Sequence, residues 1–346
     1  MANDVALYRK YRPQKFADVL GQDSVVAVLE RSIKDKSITH AYLFSGGRGT
    51  GKTTIARIFA EAIGCKPADL YEIDAASNRG IDDVRLLREA VQTMPFESPY
   101  KVYIIDEVHM LTKEAFNALL KTLEEPPSHI VFILATTEKE KLPDTVISRC
   151  QGFTFEQPSK EDLKHFALDI AKKEKVKLDF PGAEIVAIFG DGSYRDTLSV
   201  LEKVLVSAKN GAVDVDTIAR LVGAPTHDLV NAVLKAIESG DVATGLLAVR
   251  KAGDQHVDMK VYFKLILAKL RAVLMLRYAP AMEKEFTEEF TPDDLAFLKA
   301  LAGSAEKKIN SHVLLEFLEA SRSIGFAAIP SLPIELALIR VAREKK

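Results

Sequence analysis

Short apolar runs alternate with amphipathic stretches over the first 157 residues of the chain. The runs at 41–44, 101–105 and 130–134 contain almost no polar side chain, which is typical of strands buried on both faces of a parallel sheet. Two shorter runs, at 70–73 and 153–155, predict further strands. The stretches between them carry apolar residues at helical spacing. Strand and helix therefore alternate, and the pattern predicts an α/β fold with a parallel sheet between helices.

The pattern changes near residue 157, and beyond it only helices are predicted. Gly223-Ala224-Pro225 is typical of a hinge between two helical regions. The sequence therefore predicts three domains, 1–157, 158–223 and 224–346, of which the last is expected to serve packing and assembly. The predicted helices span about 159–174, 182–190, 195–209, 215–222, 227–238, 241–252, 257–278, 292–302, 308–326 and 332–344.

Composition restricts the class of partner and the compartment. A formal net charge of −2 gives no overall basic field, so any contact with nucleic acid requires a local patch. The two cysteines, Cys65 and Cys150, lack metal-ligand spacing, so we expect no disulfide framework and no zinc site, and a reducing cytoplasm fits. Lysines and arginines interrupt the most apolar helix, 259–276, and no secretory signal is visible, so no membrane association is expected.

A glycine-rich segment, residues 45–54, follows the first strand and opens a helix. It matches the P-loop pattern G-x-x-x-x-G-K-[ST] in the setting of strand, turn and helix that the pattern requires. Its backbone N–H groups and the helix N-terminus suit phosphate oxygens. Lys52 is expected to reach the β- and γ-phosphates, and the Thr53 hydroxyl to bind Mg²⁺. The candidate phosphate-binding residues are Gly46, Gly47, Arg48, Gly49, Thr50, Gly51, Lys52, Thr53 and Thr54.

Two carboxylates, Asp106 and Glu107, end the strand over 101–105. The carboxyl ends of parallel strands are where α/β sheets bind ligands. We expect Asp106 to hold Mg²⁺ through water and Glu107 to take a proton from an attacking water. Thr137 ends the next strand, and its hydroxyl is expected beside Glu107, although a threonine at a strand end is commonly only a cap.

Other polar positions admit two interpretations each. Tyr11 and Arg12 either line an adenine pocket or belong to a surface arm. Arg195, in the first turn of a helix, either faces an anionic partner or forms a surface ion pair. The turn Ser77-Asn78-Arg79-Gly80 either binds a phosphate of nucleic acid or caps a helix.

Several motifs together resemble one protein family, the gamma/tau subunits of the bacterial DNA polymerase III clamp loader. The resemblance is tightest over residues 7–157 and continues more loosely through 192–196 into the C-terminal helices. The small subunits of replication factor C are more distantly similar. The motifs are Arg9-Lys10-Tyr11-Arg12-Pro13, Gly21-Gln22, the P-loop, 73–80, Asp106-Glu107-Val108-His109, 120–127, Ala135-Thr136-Thr137 and Ser148-Arg149-Cys150.

The resemblance implies an AAA+ ATPase with ATP and Mg²⁺ as its ligands, followed by a helical lid (158–223) and an all-α collar (224–346). It implies a pentamer of copies of this chain with delta and delta-prime type subunits, which loads a sliding clamp on primer-template DNA. Arg79, Lys113 and the loop 94–96 are candidate contacts to clamp or DNA. The implied roles are Walker B for Asp106 and Glu107, sensor 1 for Thr137, sensor 2 for Arg195, and a trans-acting arginine finger for Arg149.

The sequence departs from the family in two places. Most members carry a four-cysteine zinc module after the P-loop helix, whereas residues 64–69 cross that gap directly with one cysteine, so no zinc is predicted. Longer members also carry a tail that binds helicase and polymerase. This chain ends after the collar-like region, as a naturally short form or a trimmed one.

Two other functions are alternatives to an ATP-hydrolysing motor. A non-hydrolysing, delta-prime-like scaffold is expected to have lost Lys52, Thr53 or Glu107, and all three are present. Another AAA+ motor on DNA, such as a branch-migration helicase, predicts a C-terminal winged helix with strands, and only helices are predicted here.

Overall fold

The computed structural model describes residues 5–78, 80, 86–87, 89–208, 211–283, 286 and 290–343. The chain divides into two compact units, Met1–Ala212 and Val213–Lys346. The first unit holds the sheet and the helices up to Val206, and the second is helical. The finer division into three domains stays a prediction.

A five-stranded sheet forms the centre of the first unit. All its neighbouring strands pair in parallel, in the order β2-β3-β4-β1-β5. This confirms the predicted parallel α/β sheet. The strands are β1 (Ala41–Gly46), β2 (Leu70–Asp74), β3 (Lys101–Asp106), β4 (Ile130–Thr136) and β5 (Gln151–Phe155).

Helices follow the strands at the positions that apolar spacing predicts. Thr112 caps α4 through the backbone N–H of Ala115, and Ser159 with Asp162 forms a capping box at the start of α6. The apolar spacing between β2 and β3 predicts a helix over 81–92. Of these residues, 86–87 and 89–91 are helical, Gln92 forms a turn, and 81–85 and 88 lie outside the described residues. The helices of the first unit are α1 (Leu7–Lys10), α2 (Asp23–Lys34), α3 (Lys52–Ala62), α4 (Lys113–Glu124), α5 (Asp144–Ile147), α6 (Lys160–Lys173), α7 (Phe180–Gly190) and α8 (Tyr194–Val206).

Each face of the sheet packs against its own apolar cluster, which explains why the inner strands are apolar throughout. Successive side chains of a strand point to opposite faces. Leu43 and Phe132 pack with Leu119 of α4 on one face, and their neighbours in sequence pack with α2 and α3 on the other. The apolar packing on both faces thereby fixes the positions of the helices that start at the carboxyl edge of the sheet.

The second unit is built of helices, as predicted. A buried ion pair joins two of them: Lys269 Nζ of α12 lies 2.5 Å from Asp294 Oδ1 of α13. Asn231 and His227 of α10 bind the same pair. No helix in the described parts of the chain is long and apolar enough to cross a bilayer. The helices are α9 (Val215–Val222), α10 (His227–Ser239), α11 (Val242–Asp254), α12 (Met259–Tyr278), α13 (Pro292–Ala302), α14 (Ser311–Ser321) and α15 (Leu332–Arg343).

A buried carboxylate anchors the loop that leads into β3. Asp69 is 1% exposed and accepts backbone N–H bonds from Phe96 (2.5 Å), Glu97 (2.9 Å) and Ser98 (2.9 Å). Burial opposes ionisation of Asp69, but the bonds to its carboxylate outweigh burial and lower its pKa to about 2. The loop at 96–98 is thus tied to the start of β2.

We expect Asp69→Ala to lower the free energy of unfolding on the order of 3 kcal/mol at pH 7, because three backbone N–H groups lose a charged acceptor. The pKa of Asp69 is lower in the folded chain than the ordinary 3.8, so this stabilisation is complete above about pH 4 and is lost as the pH falls towards 2. Urea unfolding of wild type and variant at several pH values measures the difference. Asp35→Ala, which removes an exposed pair with Arg31, is the control and is expected to cost less than about 1 kcal/mol. Equal losses in the two variants would contradict the anchoring role.

Candidate nucleotide-binding site

The candidate site lies at the carboxyl edge of three neighbouring strands. In the order β3-β4-β1, the strands end at Asp106, Thr136 and Gly46. Parallel pairing places these ends side by side, and ligands of open α/β sheets bind at this edge. The glycine-rich turn and both carboxylates predicted from sequence therefore meet in one place.

The P-loop connects β1 to α3, and Lys52 is the first residue of that helix. Its side chain is buried, and Nζ donates hydrogen bonds to the carbonyl oxygens of Gly46 (2.8 Å) and Gly47 (2.7 Å). Burial lowers the pKa of Lys52, and the charges of Glu107 and Asp106 oppose that effect. No side chain caps α3, so its first N–H groups are left for a ligand. The loop presents donors and a cation, as anionic phosphate requires.

Two oxygen ligands stand together beside the loop. Thr53 Oγ1 donates a hydrogen bond of 2.8 Å to Asp106 Oδ2. A hydroxyl and a carboxylate at this separation fit Mg²⁺, which takes oxygen ligands and keeps several of its waters. Within the described residues, no group of three histidine, cysteine or acidic side chains is arranged for a metal. The predicted lack of zinc stays a prediction.

Glu107 follows Asp106 in a left-handed backbone conformation, with φ of 49°, and opens a short turn over Val108–Met110. Such a conformation is uncommon for a residue other than glycine. Its Oε2 accepts a hydrogen bond of 3.1 Å from Thr137 Oγ1. The adjacent strands β3 and β4 thus bring together the carboxylate and the hydroxyl that the sequence pairs.

Three further residues lie against the P-loop: Gln22, Gln157 and Ser193. The sequence analysis assigned none of them a role. The amide of Gln22 is buried and bonds to the backbone of Glu156 at 2.8 Å. A Cβ built on Gly47 would lie 2.4 Å from Gln157 Nε2, and one on Gly49 would lie 1.8 Å from Ser193 Oγ. Gly21-Gln22 and the segment 192–196 carry part of the family resemblance, and that was the available signal.

Several basic side chains lie near one another beside the start of α3. Arg12 donates from Nε to Thr54 Oγ1 at 3.1 Å. Burial first, and then the charge of Arg57, lowers the pKa of Arg12, with a smaller contribution from Arg195. Arg195 also lies over the ring of Tyr8. Arg12 and Arg195 are therefore close to one another and to the phosphate-binding loop.

Tyr11 has a different environment from Arg12. Its hydroxyl donates to Glu174 Oε1, which Lys10 also binds. Burial and then this bond raise the pKa of Tyr11 to about 12. The adenine contacts suggested for Tyr11 and Arg12 stay predictions.

Arg149 lies at the opposite edge of the sheet from the P-loop. It precedes β5, whose first residue, Gln151, pairs with Tyr42, whereas Gly46 pairs with Phe155 at the other end. Arg149 Nη2 lies 2.7 Å from Glu124 Oε1, and Nη1 donates to the carbonyl of Thr145 at 2.7 Å. The structure does not bring Arg149 to the site of its own chain.

The turn after β2 is closed by its own residues. Asp74 accepts bonds from the backbone N–H of Ala76 and the hydroxyl of Ser77, both at 2.9 Å. Asn78 donates from its side chain to the carbonyl of Asp74. Arg79, the candidate phosphate contact, lies outside the described residues.

The sheet, the P-loop and the paired carboxylates define a P-loop nucleotide-binding protein with an AAA+ fold. The chain is similar in fold to the Thermotoga maritima RuvB Holliday junction branch migration motor, with a TM-score of 0.52 and 20% identity over 66% of this chain and 79% of that one. The family model for "DNA polymerase III, delta subunit" matches residues 21–78 and 68–159.

Curated relatives identify the family. DNA polymerase III subunit tau of Bacillus subtilis (strain 168) is 39% identical over 80% of this chain and 53% of its own length. The tau subunit of Escherichia coli (strain K12) is 36% identical over 80% of this chain and 46% of its own length. DNA polymerase III subunit gamma of Buchnera aphidicola subsp. Baizongia pistaciae is 33% identical over 97% of this chain and 96% of its own length. The chain belongs to the DNA polymerase III gamma/tau family, which confirms the resemblance seen in its motifs. It spans about half the length of the tau relatives.

We expect Gly49→Ala to weaken nucleotide binding at least about tenfold and to destabilise the first unit. The backbone at Gly49 has φ of +70°, and a Cβ there meets Ser193, which caps α8. Titration with a fluorescent ATP analogue and thermal unfolding measure the two effects.

Gly152→Ala is the matched control, because a Cβ at Gly152 has nothing within 4 Å. It is expected to bind the analogue as wild type does. Wild-type affinity in Gly49→Ala would show that the approach of Ser193 to the loop is unimportant.

Proposed function

We propose that this chain is the ATP-hydrolysing motor subunit of a bacterial DNA polymerase III clamp loader, which places a sliding clamp on primer-template DNA in the cytoplasm. The observation that carries the proposal is that the phosphate-binding, Mg²⁺-binding and proton-accepting groups meet at one sheet edge, in a chain of the gamma/tau family. A non-hydrolysing scaffold has no need of Lys52, Thr53 and Glu107 in this arrangement.

Each group at the carboxyl edge has a role in binding or hydrolysing ATP. Lys52 and the P-loop N–H groups bind the β- and γ-phosphates, and Thr53 with Asp106 holds Mg²⁺. The bound ion neutralises charge on the phosphate oxygens. Glu107 accepts the proton of the attacking water, and Thr137 orients Glu107 through their hydrogen bond. Arg195, which lies beside Arg12, has the role of sensor 2 and contacts the bound nucleotide.

Arg149 serves a neighbouring subunit and not its own. The strand from Gln151 to Phe155 covers about 13 Å, and Arg149 lies beyond its far end from the P-loop. An arginine side chain does not span that distance. In the free chain Glu124 binds the guanidinium, and in an assembly the phosphate oxygens of the adjoining subunit's ATP replace this carboxylate.

The proposal implies an assembly of several subunits. Because binding and finger groups lie at opposite edges, adjacent copies of this chain or delta and delta-prime type subunits complete each other's sites. The helical region 158–223 acts as a lid and the region 224–346 as a collar between subunits.

We expect Lys52→Ala to abolish ATP binding and ATP-dependent clamp loading, because the ammonium beside Gly46 and Gly47 supplies the charge for the phosphates. Analogue binding and loading of a clamp on primed DNA measure this. Lys299→Ala, which removes an exposed pair with Glu283, is the control and is expected to behave as wild type. Clamp loading at the wild-type rate in Lys52→Ala would refute the site.

We expect Arg149→Ala to retain ATP binding and to lose assembly-stimulated hydrolysis by about 10³-fold or more. Arg149→Lys is expected to recover little, because an ammonium lacks the planar fork of guanidinium. Steady-state hydrolysis with the delta and delta-prime type subunits, a clamp and primed DNA is the assay.

A mixing experiment separates action in trans from action in cis. Lys52→Ala copies bind no nucleotide but keep Arg149, whereas Arg149→Ala copies bind ATP and lack the finger. If Arg149 acts in trans, complexes that contain both variants regain part of the hydrolysis that each variant lacks. A mixture no more active than its components contradicts a trans role.

A further inference from the structure

His109 lies between two glutamates at the carboxyl edge of the sheet. Its side chain is only 6% exposed. The Nδ1 atom lies 3.0 Å from Thr136 Oγ1 and 3.4 Å from Glu107 Oε2, and Nε2 lies 3.2 Å from Glu138 Oε1. Both ring nitrogens therefore contact polar groups, and burial leaves the ring little room to rotate.

The end of β4 fixes one side of the ring. The bond from Lys141 lowers the pKa of Glu138 and holds its carboxylate beside the ring. The carboxylate of Glu138 contacts the Nε2 side of the ring, with Oε1 at 3.2 Å from Nε2. The backbone N–H of Glu138 donates to Thr136 Oγ1 at 3.0 Å, which ties both of these neighbours to the same turn.

The other side of the ring meets the carboxylate that we assign as the base. Within the described part of the chain, Thr137 and His109 both contact the same carboxylate oxygen of Glu107, Oε2. The other oxygen, Oε1, has no hydrogen bond or ion pair with a described residue. The short turn between Glu107 and His109 closes with the bond from Met110 N–H to the Glu107 carbonyl at 2.8 Å, so the two side chains are held at a set distance.

We propose that His109 is a positioning residue for Glu107. Thr136 and Glu138 hold the ring, the ring contacts Oε2 of Glu107, and this contact directs Oε1 at the attacking water. The inference rests on the proposed ATPase function. A general base acts only within hydrogen-bond reach of the proton that it takes. A misplacement of about 1 Å costs on the order of 10² in rate. His109 also links the catalytic carboxylate to the strand end that carries Thr137.

The test compares His109→Ala, His109→Asn and His109→Gln in the assembled complex with its partner subunits, clamp and primed DNA. An asparagine amide takes the place of Nδ1, beside Glu107, and a glutamine amide takes the place of Nε2. We expect His109→Ala to lower kcat for ATP hydrolysis on the order of 10²-fold, with the KM and the binding of an ATP analogue within about twofold of wild type. We expect His109→Asn to regain much of kcat and His109→Gln to remain close to His109→Ala.

The control is His165→Ala, since His165 is an exposed histidine paired with Glu161 on α6, and it is expected to keep the wild-type kcat. Wild-type kcat in His109→Ala, or equal loss in all three His109 variants with a matching drop in Tm, overturns the positioning role. Wild type and Glu107→Gln in the same assay separate this outcome from a failure of the proposed function. If wild type does not hydrolyse ATP, or Glu107→Gln hydrolyses it as fast, the ATPase assignment itself fails.

Discussion

The parallel register of β3, β4 and β1 is the constraint on which the site depends. Ile105 pairs with Leu134, and Ser45 pairs with Thr136, so the P-loop, the two carboxylates and Thr137 leave the sheet at one edge. A slip of one residue would turn the side chains of a strand to the other face. It would also expose core residues on both sides, because each face has its own apolar cluster. Core packing thereby fixes the geometry of the candidate site.

The charges at this edge are arranged for an anion. Lys52 is buried beside Asp106 and Glu107, while Arg12, Arg57 and Arg195 lie near each other around the start of α3. Burial lowers the pKa of Lys52 and of Arg12, because it disfavours their charged forms. In the proposed function a triphosphate compensates both cations, so binding it relieves an electrostatic cost that the fold carries. Stability of the first unit and nucleotide binding are therefore coupled.

Sequence patterns predicted the elements whose residues are close together along the chain. The P-loop and the pair Asp106-Glu107 are contiguous, and the strands showed as apolar runs because both sheet faces are covered. The contacts that pattern reading missed join distant segments: Gln22 with Glu156, Gly49 with Ser193, and Arg149 with Glu124. In the sequence, His109 is visible only as part of the motif Asp106-Glu107-Val108-His109. Its proposed role depends on a contact between the turn after β3 and the end of β4. Spacing along the sequence does not predict that contact.

The sheet also separates the two halves of the proposed reaction. Groups that bind and activate ATP follow the carboxyl ends of the strands, and Arg149 precedes the amino end of β5. Because β5 pairs with β1 from Gln151 to Phe155, Arg149 and the P-loop are held at opposite ends of these strands, and no side-chain rotation brings Arg149 to its own P-loop. An isolated chain thus has a base and a phosphate cradle without the guanidinium that offsets charge in the transition state. In the proposed mechanism, hydrolysis depends on a neighbouring subunit because of this geometry, and ATP is conserved until the assembly forms.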